Sequence, residues 1–216
     1  MELILGIIVL IFSAIVHEIA HGYVADRLGD PTARLMGRLT LDPRKHIDPF
    51  LSIILPLLLI VSGSPIIFGG AKPVPVDPFN LREGRKDMAL VSLAGPLTNV
   101  LLAIIGALLL HVLPFLVGSD QALLFSGGFV FIRLLLNTIV NYNLLLAIFN
   151  LLPIPPLDGS KIFSLLLPQR EAAIYLSFGQ FGIVILLLLL SFPIGGFSLQ
   201  MFMYNLFVLA RGLLGL

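Results

Sequence analysis

The stretch LILGIIVLIFSAIVHEIAH, residues 3–21, joins an uncharged apolar segment directly to two histidines and a glutamate. Ionisable side chains inside a membrane span are costly and are retained mainly for function. On an α-helix, His17 and His21 occupy positions i and i+4 and share a face, so both imidazoles can bind one metal ion. Glu18 lies about 100° around the helix from His17, where it can accept a proton from water bound to that ion. A histidine pair that only satisfies a helix bundle leaves the intervening glutamate unexplained.

The rest of the composition is that of a helical membrane protein. Of its 216 residues, 58% are hydrophobic, and the mean hydropathy is +1.06. The apolar residues run in long blocks, unlike the short alternating strands of a β-barrel, and no polar stretch is long enough for a separate soluble domain. The net charge of +1 argues against a nucleic-acid partner, and the absence of cysteine leaves histidine and carboxylate as metal ligands. We therefore expect residues 1–216 to form a single membrane-embedded domain, with its first apolar segment retained rather than cleaved as a signal peptide.

Six apolar segments are candidate membrane spans: 3–25, 50–68, 88–117, 122–152, 171–192 and 196–214. Segment 50–68 is the weakest, because Pro56 and the stretch Ser62-Gly63-Ser64-Pro65 interrupt it and leave backbone groups without helical partners. The polar stretches on either side of it are both rich in Arg and Lys, and the positive-inside rule places both on the cytoplasmic side.

The expected fold class is therefore an all-α polytopic membrane protein with five to six transmembrane helices. In the five-span arrangement, the segment near 47–76 is re-entrant or membrane-associated and strand-like, with extended edges at 66–68 and 72–76. Twelve of the 13 basic side chains then fall at the cytoplasmic face, and Arg133 is the exception. The alternative is that 50–68 forms a true sixth span.

A catalytic zinc site needs a third protein ligand and one open position, and Asp158 is the candidate that the five-span arrangement favours. The first and fourth apolar segments, 3–25 and 122–152, would then end on the same side, which brings Asp158 towards His17 and His21. Three prolines just before it (Pro153, Pro155 and Pro156) exclude regular helix.

Local pattern alone leaves the role of Asp158 open. Its carboxylate can equally cap the helix that follows. Asp26, which lies shortly after the histidine pair, and His46, in a polar stretch, are the other candidate ligands.

Asparagines mark polar positions within the predicted spans. Asn99 and Asn150 fall near the cytoplasmic half, where each can bind a substrate backbone or donate to an oxyanion. Three others are expected to form hydrogen bonds between helices: Asn137, Asn141 and Asn143. His111 is expected to lie outside the site, near the far end of its helix.

Three ordered motifs within residues 2–165 resemble the site-2 protease family of intramembrane zinc metalloproteases. They are His17-Glu18-Ile-Ala-His21, Ala94-Gly95-Pro96-Leu97-Thr-Asn99 and Asn150-Leu-Leu-Pro153-Ile-Pro-Pro-Leu157-Asp158-Gly159. The stretch Phe68–Val76 looks like the membrane-associated strand of compact prokaryotic members, and the sequence contains no inserted PDZ domain. The resemblance implies that zinc is bound by His17, His21 and Asp158, that Glu18 is the general base, and that Asn150 holds the substrate.

The expected function is an intramembrane zinc endopeptidase with one Zn²⁺ per chain, embedded in the lipid bilayer. Its expected partners are transmembrane protein substrates; it is expected to be multi-pass in the cell membrane, with the active site towards the cytoplasm. A metal permease would be expected to show repeated polar sites across several spans, and the sequence contains no internal repeat. An inactive scaffold would be expected to have lost Glu18 or a metal ligand. No sequence feature specifies an oligomeric state.

Overall fold

The computed structural model describes residues 1–49, 54, 57–58, 61, 71–118 and 126–216, and its regular elements are helical. The α-helices are α1 (Glu2–Arg27), α2 (Thr32–Leu35), α3 (Arg85–Val117), α4 (Gly127–Asn150), α5 (Asp158–Phe163), α6 (Gln169–Ser177), α7 (Gly182–Ser191) and α8 (Leu199–Leu213). Short 3₁₀ helices cover Pro43–Lys45, Pro78–Asn80, Ser164–Leu166 and Phe178–Phe181. Within these described ranges no β-strand is formed.

Four helical stretches are long and apolar enough to cross a membrane: Glu2–Arg27, Arg85–Leu116, Gly127–Asn150 and Gln169–Ser191. They coincide, within a few residues, with the described parts of four of the predicted spans. The last predicted span forms only the 15-residue helix α8, about 22 Å long at the usual rise per residue and shorter than a hydrocarbon core of about 30 Å. The described structure therefore supports a helical membrane protein with four such helices.

The expectations for segment 50–68 and for the extended edge at 66–68 lie largely or wholly outside the described residues. The second expected edge, 72–76, is described, and it has neither helical nor strand hydrogen bonding. It crosses the end of the bundle as an irregular segment.

Helix α3 forms the centre of the bundle and packs against both α1 and α4. Small side chains at Ala103 and Ala107 are almost completely buried, and they allow α3 to approach Leu136 and Val140 of α4 closely. The outward surfaces are apolar and exposed, as at Phe12, which suits contact with lipid. Packing on α3 therefore fixes α1 and α4 relative to each other.

Helix α8 runs antiparallel to α4. Its first residue, Leu199, packs with Leu152 and Leu186 beyond the end of α4. Near its other end, Arg211 donates to Asn141 Oδ1 at 2.7 Å, and the Leu214 carbonyl bonds to the imidazole of His111.

This direction differs from the five-span arrangement, which predicts Arg211 on the same side as the end of the first span. The structure places Arg211 towards the opposite end of the bundle. The reason is that α7 stays beside the end of α4: Gly182 lies directly against the Pro155 carbonyl, and Leu186 packs on Leu152. The chain entering α8 therefore starts at the end of the bundle where α4 finishes.

Two connecting stretches meet at the end of the bundle where α1 finishes. The buried Asp30 carboxylate accepts hydrogen bonds from the Thr32 hydroxyl and N–H, from the Asp77 N–H at 2.7 Å and from the Asn80 amide at 3.1 Å. Burial alone would raise the pKa of Asp30, but these hydrogen bonds lower it below its usual value. The basic stretch after α1 and the one before α3 therefore lie at the same end of the bundle.

Candidate metal centre

His17 and His21 of α1 and Asp158 of α5 bring three metal-binding atoms together. The two Nε2 atoms are 3.0 Å apart, and Asp158 Oδ2 lies 3.2 Å from that of His17 and 3.1 Å from that of His21. All three side chains are buried. The convergence joins the first long helix to a residue 141 positions away from His17.

The outer nitrogens of both imidazoles are committed elsewhere. His17 Nδ1 donates to Asn99 Oδ1 at 2.5 Å, and His21 Nδ1 donates to the Val91 carbonyl at 2.7 Å. A neutral imidazole with its proton on Nδ1 has a lone pair on Nε2. Two such lone pairs and a carboxylate oxygen therefore face one another, an arrangement that repels itself unless a cation lies among them.

The donor set fits zinc. Two imidazole nitrogens and one carboxylate oxygen are the ligand types of a catalytic zinc site, and with bonds of about 2.0–2.1 Å tetrahedral ligand atoms stand about 3.3 Å apart. The separations of 3.0–3.2 Å are close to that spacing. Across the described part of the chain, this is the group of His and acidic residues with metal-site geometry.

The other two candidate ligands, Asp26 and His46, bond to other groups and do not join the three donors. Asp26 forms an exposed ion pair with Arg34 at 3.0 Å, and the His46 Nε2 bonds to the Thr40 carbonyl at 2.8 Å. Nor does Asp158 cap the helix that follows it. It is the first residue of α5, and that helix has no side-chain cap.

Local sequence explains how Asp158 reaches the histidines. The proline-rich stretch after Asn150 ends α4, and Gly159 then docks α5 onto the end of that helix. A Cβ at Gly159 would lie 2.2 Å from the Leu151 carbonyl oxygen, so any larger residue would move α5 away. Lys161 Nζ lies 3.4 Å from Asp158 Oδ1, and its positive charge favours the ionised carboxylate that a metal ion would bind.

Gly95 allows α3 to pass directly against the two imidazoles. A Cβ at this position would stand 2.5 Å from His21 Nε2 and 2.6 Å from His17 Nε2, too close for any side chain. The Ala94-Gly95-Pro96 motif therefore has a physical role: its glycine allows the close approach by which α3 supports the histidines.

Asn99 is completely buried and uses its amide within the protein. Besides accepting from His17, it donates to Asn143 Oδ1 at 2.8 Å, and Asn143 in turn donates to Ser13 Oγ at 2.9 Å. The sequence predicts that Asn99 contacts substrate, whereas the structure directs its amide to His17, a candidate metal ligand. Asn143 forms the interhelical hydrogen bond expected of it.

Glu18 contacts an irregular strap, residues 71–77, which crosses this end of the bundle. The Val74 N–H donates to Glu18 Oε2 at 2.7 Å. The strap is held by Arg38, a buried guanidinium that donates to the Lys72 carbonyl at 2.9 Å and the Pro73 carbonyl at 3.3 Å. One carboxylate oxygen of Glu18 is thereby fixed by backbone.

A cavity of about 350 Å³ opens beside the three donors. Its wall includes Glu18, Val74, Met88, Ser92, Asn150 and Lys161. The Asn150 amide nitrogen donates to the Leu146 carbonyl at 3.0 Å, one turn back in its own helix. Asn150 is thus placed at the cavity without reaching the three donors.

Several groups at this site were not identified from the sequence. The Val91 carbonyl and the Val74 N–H are main-chain groups, and main-chain positions leave no side-chain signature in a sequence. Arg38 was one of many basic residues in its stretch, and only its burial distinguishes it. Ser92 stands next to the Ala-Gly-Pro motif, which was the only available signal.

Comparison with known proteins gives a consistent result. A family profile described as Peptidase family M50 matches residues 5–192. A Bacillus subtilis protein described as "Putative zinc metalloprotease YwhC" is 41% identical over 193 residues, covering 89% of this chain and 83% of that protein. A Mycobacterium tuberculosis protein described as "Putative zinc metalloprotease Rip2" is 37% identical over 182 residues, 84% of this chain and 64% of its own length.

A third relative, from Methanocaldococcus jannaschii and described as "Putative zinc metalloprotease MJ0611", is 39% identical over 106 residues, 49% of this chain and 47% of its own length. No solved structure matches the chain.

Proposed function

The chain belongs to peptidase family M50 and is a membrane zinc metalloprotease, and from that premise we propose that it hydrolyses peptide bonds in or near transmembrane segments of other proteins. The observation that carries the proposal is the convergence of His17 Nε2, His21 Nε2 and Asp158 Oδ2 within 3.2 Å beside a cavity. We assign these three side chains as the zinc ligands. When bound, zinc supplies a Lewis acid that lowers the pKa of water and polarises a carbonyl oxygen.

Glu18 is the proposed general base. It follows His17 directly in α1 and lines the same cavity, so its carboxylate faces the space where the scissile bond would lie. The Val74 N–H holds Oε2, which leaves Oε1 to accept a proton from the attacking water. The same carboxyl group then delivers that proton to the leaving amine, which completes the hydrolysis.

The asparagine amides have two roles in this proposal: Asn99 and Asn143 position His17, and Asn150 binds the substrate. Asn99 fixes the tautomer and the ring orientation of His17, and Asn143 and Ser13 fix Asn99 in turn. Asn150 is at the cavity edge, where its amide can bind a substrate backbone. The Asn99 side chain therefore acts through His17, whereas that of Asn150 acts on the substrate.

We place the site at the cytoplasmic side of a cell membrane. The basic stretches 26–49 and 71–87 meet at the end of the bundle that contains the site, and the positive-inside rule assigns such an end to the cytoplasm. A transmembrane substrate must unwind locally to enter the cavity, because a helix keeps its amides hydrogen bonded within itself. The strap beside Glu18 offers main chain against which an unwound chain can lie.

The test is the Glu18→Gln variant, purified in detergent and mixed with a transmembrane protein substrate. We expect cleavage to fall by at least about a hundredfold, the lower range of a general-base contribution, with zinc content equal to wild type. Glu83→Gln is the matched control, since Glu83 forms an exposed pair with Lys86 and should leave cleavage unchanged. Wild-type cleavage by zinc-loaded Glu18→Gln would refute the assigned role.

A further inference from the structure

The hydroxyl of Ser92 is buried beside the cavity and has no hydrogen-bond partner. Ser92 lies on α3 with 1% of its surface exposed. It lines the cavity together with His17, Glu18, His21 and Asp158. Its Oγ forms no hydrogen bond within the described ranges.

The threonine hydroxyls of α3 and α4 are paired within their own helices. A serine or threonine in a helix usually donates to the carbonyl three or four residues earlier. Thr98, on the same helix, donates to the Ala94 carbonyl at 2.8 Å, and Thr138 of α4 donates to the Leu134 carbonyl at 2.8 Å. Ser92 forgoes this bond, and leaving a buried hydroxyl unpaired destabilises a protein. A hydroxyl in this state is open to a partner from outside the described part of the chain.

The position of Ser92 on α3 indicates which partner. Residues 88, 92, 95 and 99 follow one another at steps of four, three and four, so they form one stripe along the helix. In that stripe Asn99 bonds to His17, Gly95 lies against both imidazoles, and Ser92 and Met88 face the cavity. Ser92 is thus the hydroxyl next to the metal ligands on the wall that a bound substrate would contact.

The chemistry of the cavity favours a hydrogen-bond acceptor as the partner. Glu18 and Asp158 are acceptors when ionised, and the Val91 carbonyl is already used by His21. An unwound peptide brings carbonyl oxygens that have lost their helical donors, and in a low-dielectric site each of them needs a new one. A change of χ1 rotamer turns the Ser92 hydroxyl without moving the helix.

We propose that Ser92 is a substrate-binding residue whose hydroxyl donates a hydrogen bond to a main-chain carbonyl of the unwound substrate near the scissile bond. This inference rests on the proposed protease function. Because the hydroxyl binds the main chain, its contribution is the same for substrates of different side-chain sequence.

Binding is measured without cleavage, so that failure of the inference is distinguishable from failure of the proposed activity. A fluorescent transmembrane peptide is titrated against zinc-loaded Glu18→Gln and against the double variant Glu18→Gln/Ser92→Ala. We expect the double variant to bind the peptide about tenfold more weakly. Its melting temperature should be equal or higher, since an unpaired buried hydroxyl has been removed, and its zinc content should be unchanged.

Thr138→Val in the same Glu18→Gln background is the control, because it removes a hydroxyl that is satisfied within its own helix, and it should bind the peptide as the parent does. Ser92→Cys keeps the size of the side chain but is a weak donor, so it tests the same hydrogen bond if the alanine variant folds poorly. Equal peptide affinity in Ser92→Ala or Ser92→Cys would overturn the proposal. A lower melting temperature of Ser92→Ala would also overturn it, because the hydroxyl would then be paired in the resting protein.

Discussion

Replacing Asn99 with alanine tests whether a buried amide controls zinc binding without touching the metal. The change removes the oxygen that accepts from His17 Nδ1 at 2.5 Å and the nitrogen that donates to Asn143 Oδ1 at 2.8 Å. Asn99 is 0% exposed, so bulk water cannot reach either abandoned partner in the present packing. His17 then loses the contact that fixes its tautomer and its ring orientation.

The size of the effect follows from these two contacts. Loss of a hydrogen-bond partner behind a metal-binding histidine usually weakens metal affinity by about 10–100-fold, or about 1.4–2.8 kcal/mol. Two unpaired buried groups, at about 1–3 kcal/mol each, lower the free energy of unfolding by about 2–6 kcal/mol before relaxation. Asn99→Ala should therefore lose both zinc affinity and stability.

Competition with a zinc chelator in detergent, together with thermal unfolding, measures the two losses. Asn99→Asp separates them, because it keeps an oxygen for His17 but loses the donor to Asn143. We expect Asn99→Asp to hold zinc at least as tightly as wild type. Asn137→Ala is the control, since the Asn137 amide nitrogen bonds to its own helix at the Arg133 carbonyl. If Asn99→Ala binds zinc as wild type does, or Asn99→Asp binds it as weakly as Asn99→Ala, the orienting role is refuted.

Three further predictions concern the ligand, the strap and the connection beyond α1. Metal analysis should give about one zinc per chain for wild type and Asp26→Ala but far less for Asp158→Ala, since a catalytic site needs three ligands; full occupancy in Asp158→Ala would reassign the ligand. Arg38→Gln should lower cleavage by about tenfold or more with zinc retained, because the backbone donor to Glu18 is no longer held in place; unchanged cleavage would show that the strap does not position Glu18. Because folding lowers the pKa of Asp30, its ionised carboxylate stabilises the fold at pH values above the ordinary pKa of 3.8. This stabilisation is lost as the pH falls through the lower pKa of the folded state. Unfolding measured against pH should therefore show a shallower acid dependence in Asp30→Asn, and an identical acid profile would contradict this.

The helices were predictable from the sequence because lipid demands long apolar segments. The predicted spans 3–25 and 88–117 differ from α1 and α3 by only a few residues at either end. The direction of α8 was not predictable, because it depends on α7 staying beside the end of α4. That packing depends on Gly182 meeting the Pro155 carbonyl, a long-range contact that no local pattern encodes.

The metal group was predictable to different extents. The spacing of His17 and His21 fixes their common face whatever the rest of the chain does, since it depends only on helical geometry. Asp158 could be nominated only through topology and family resemblance, because its position depends on where α4 ends. The sequence predicts a substrate contact for Asn99, whereas in the structure its amide bonds to His17. A sequence does not show which partner an asparagine amide faces.

The separation of His17 and Asp158 along the chain sets the order in which the site is assembled during synthesis. The histidine helix is made first, and its third partner follows 141 residues later. At ribosomal speeds of about 5–20 residues per second, that interval lasts about 7–28 seconds. Throughout it the nascent chain lacks the complete set of proposed ligands, and Asn99 is synthesised only after more than half of the interval has passed. A protease built in this order cannot cut neighbouring nascent membrane proteins, or itself, until α4 and the Asp158 that follows it have been synthesised.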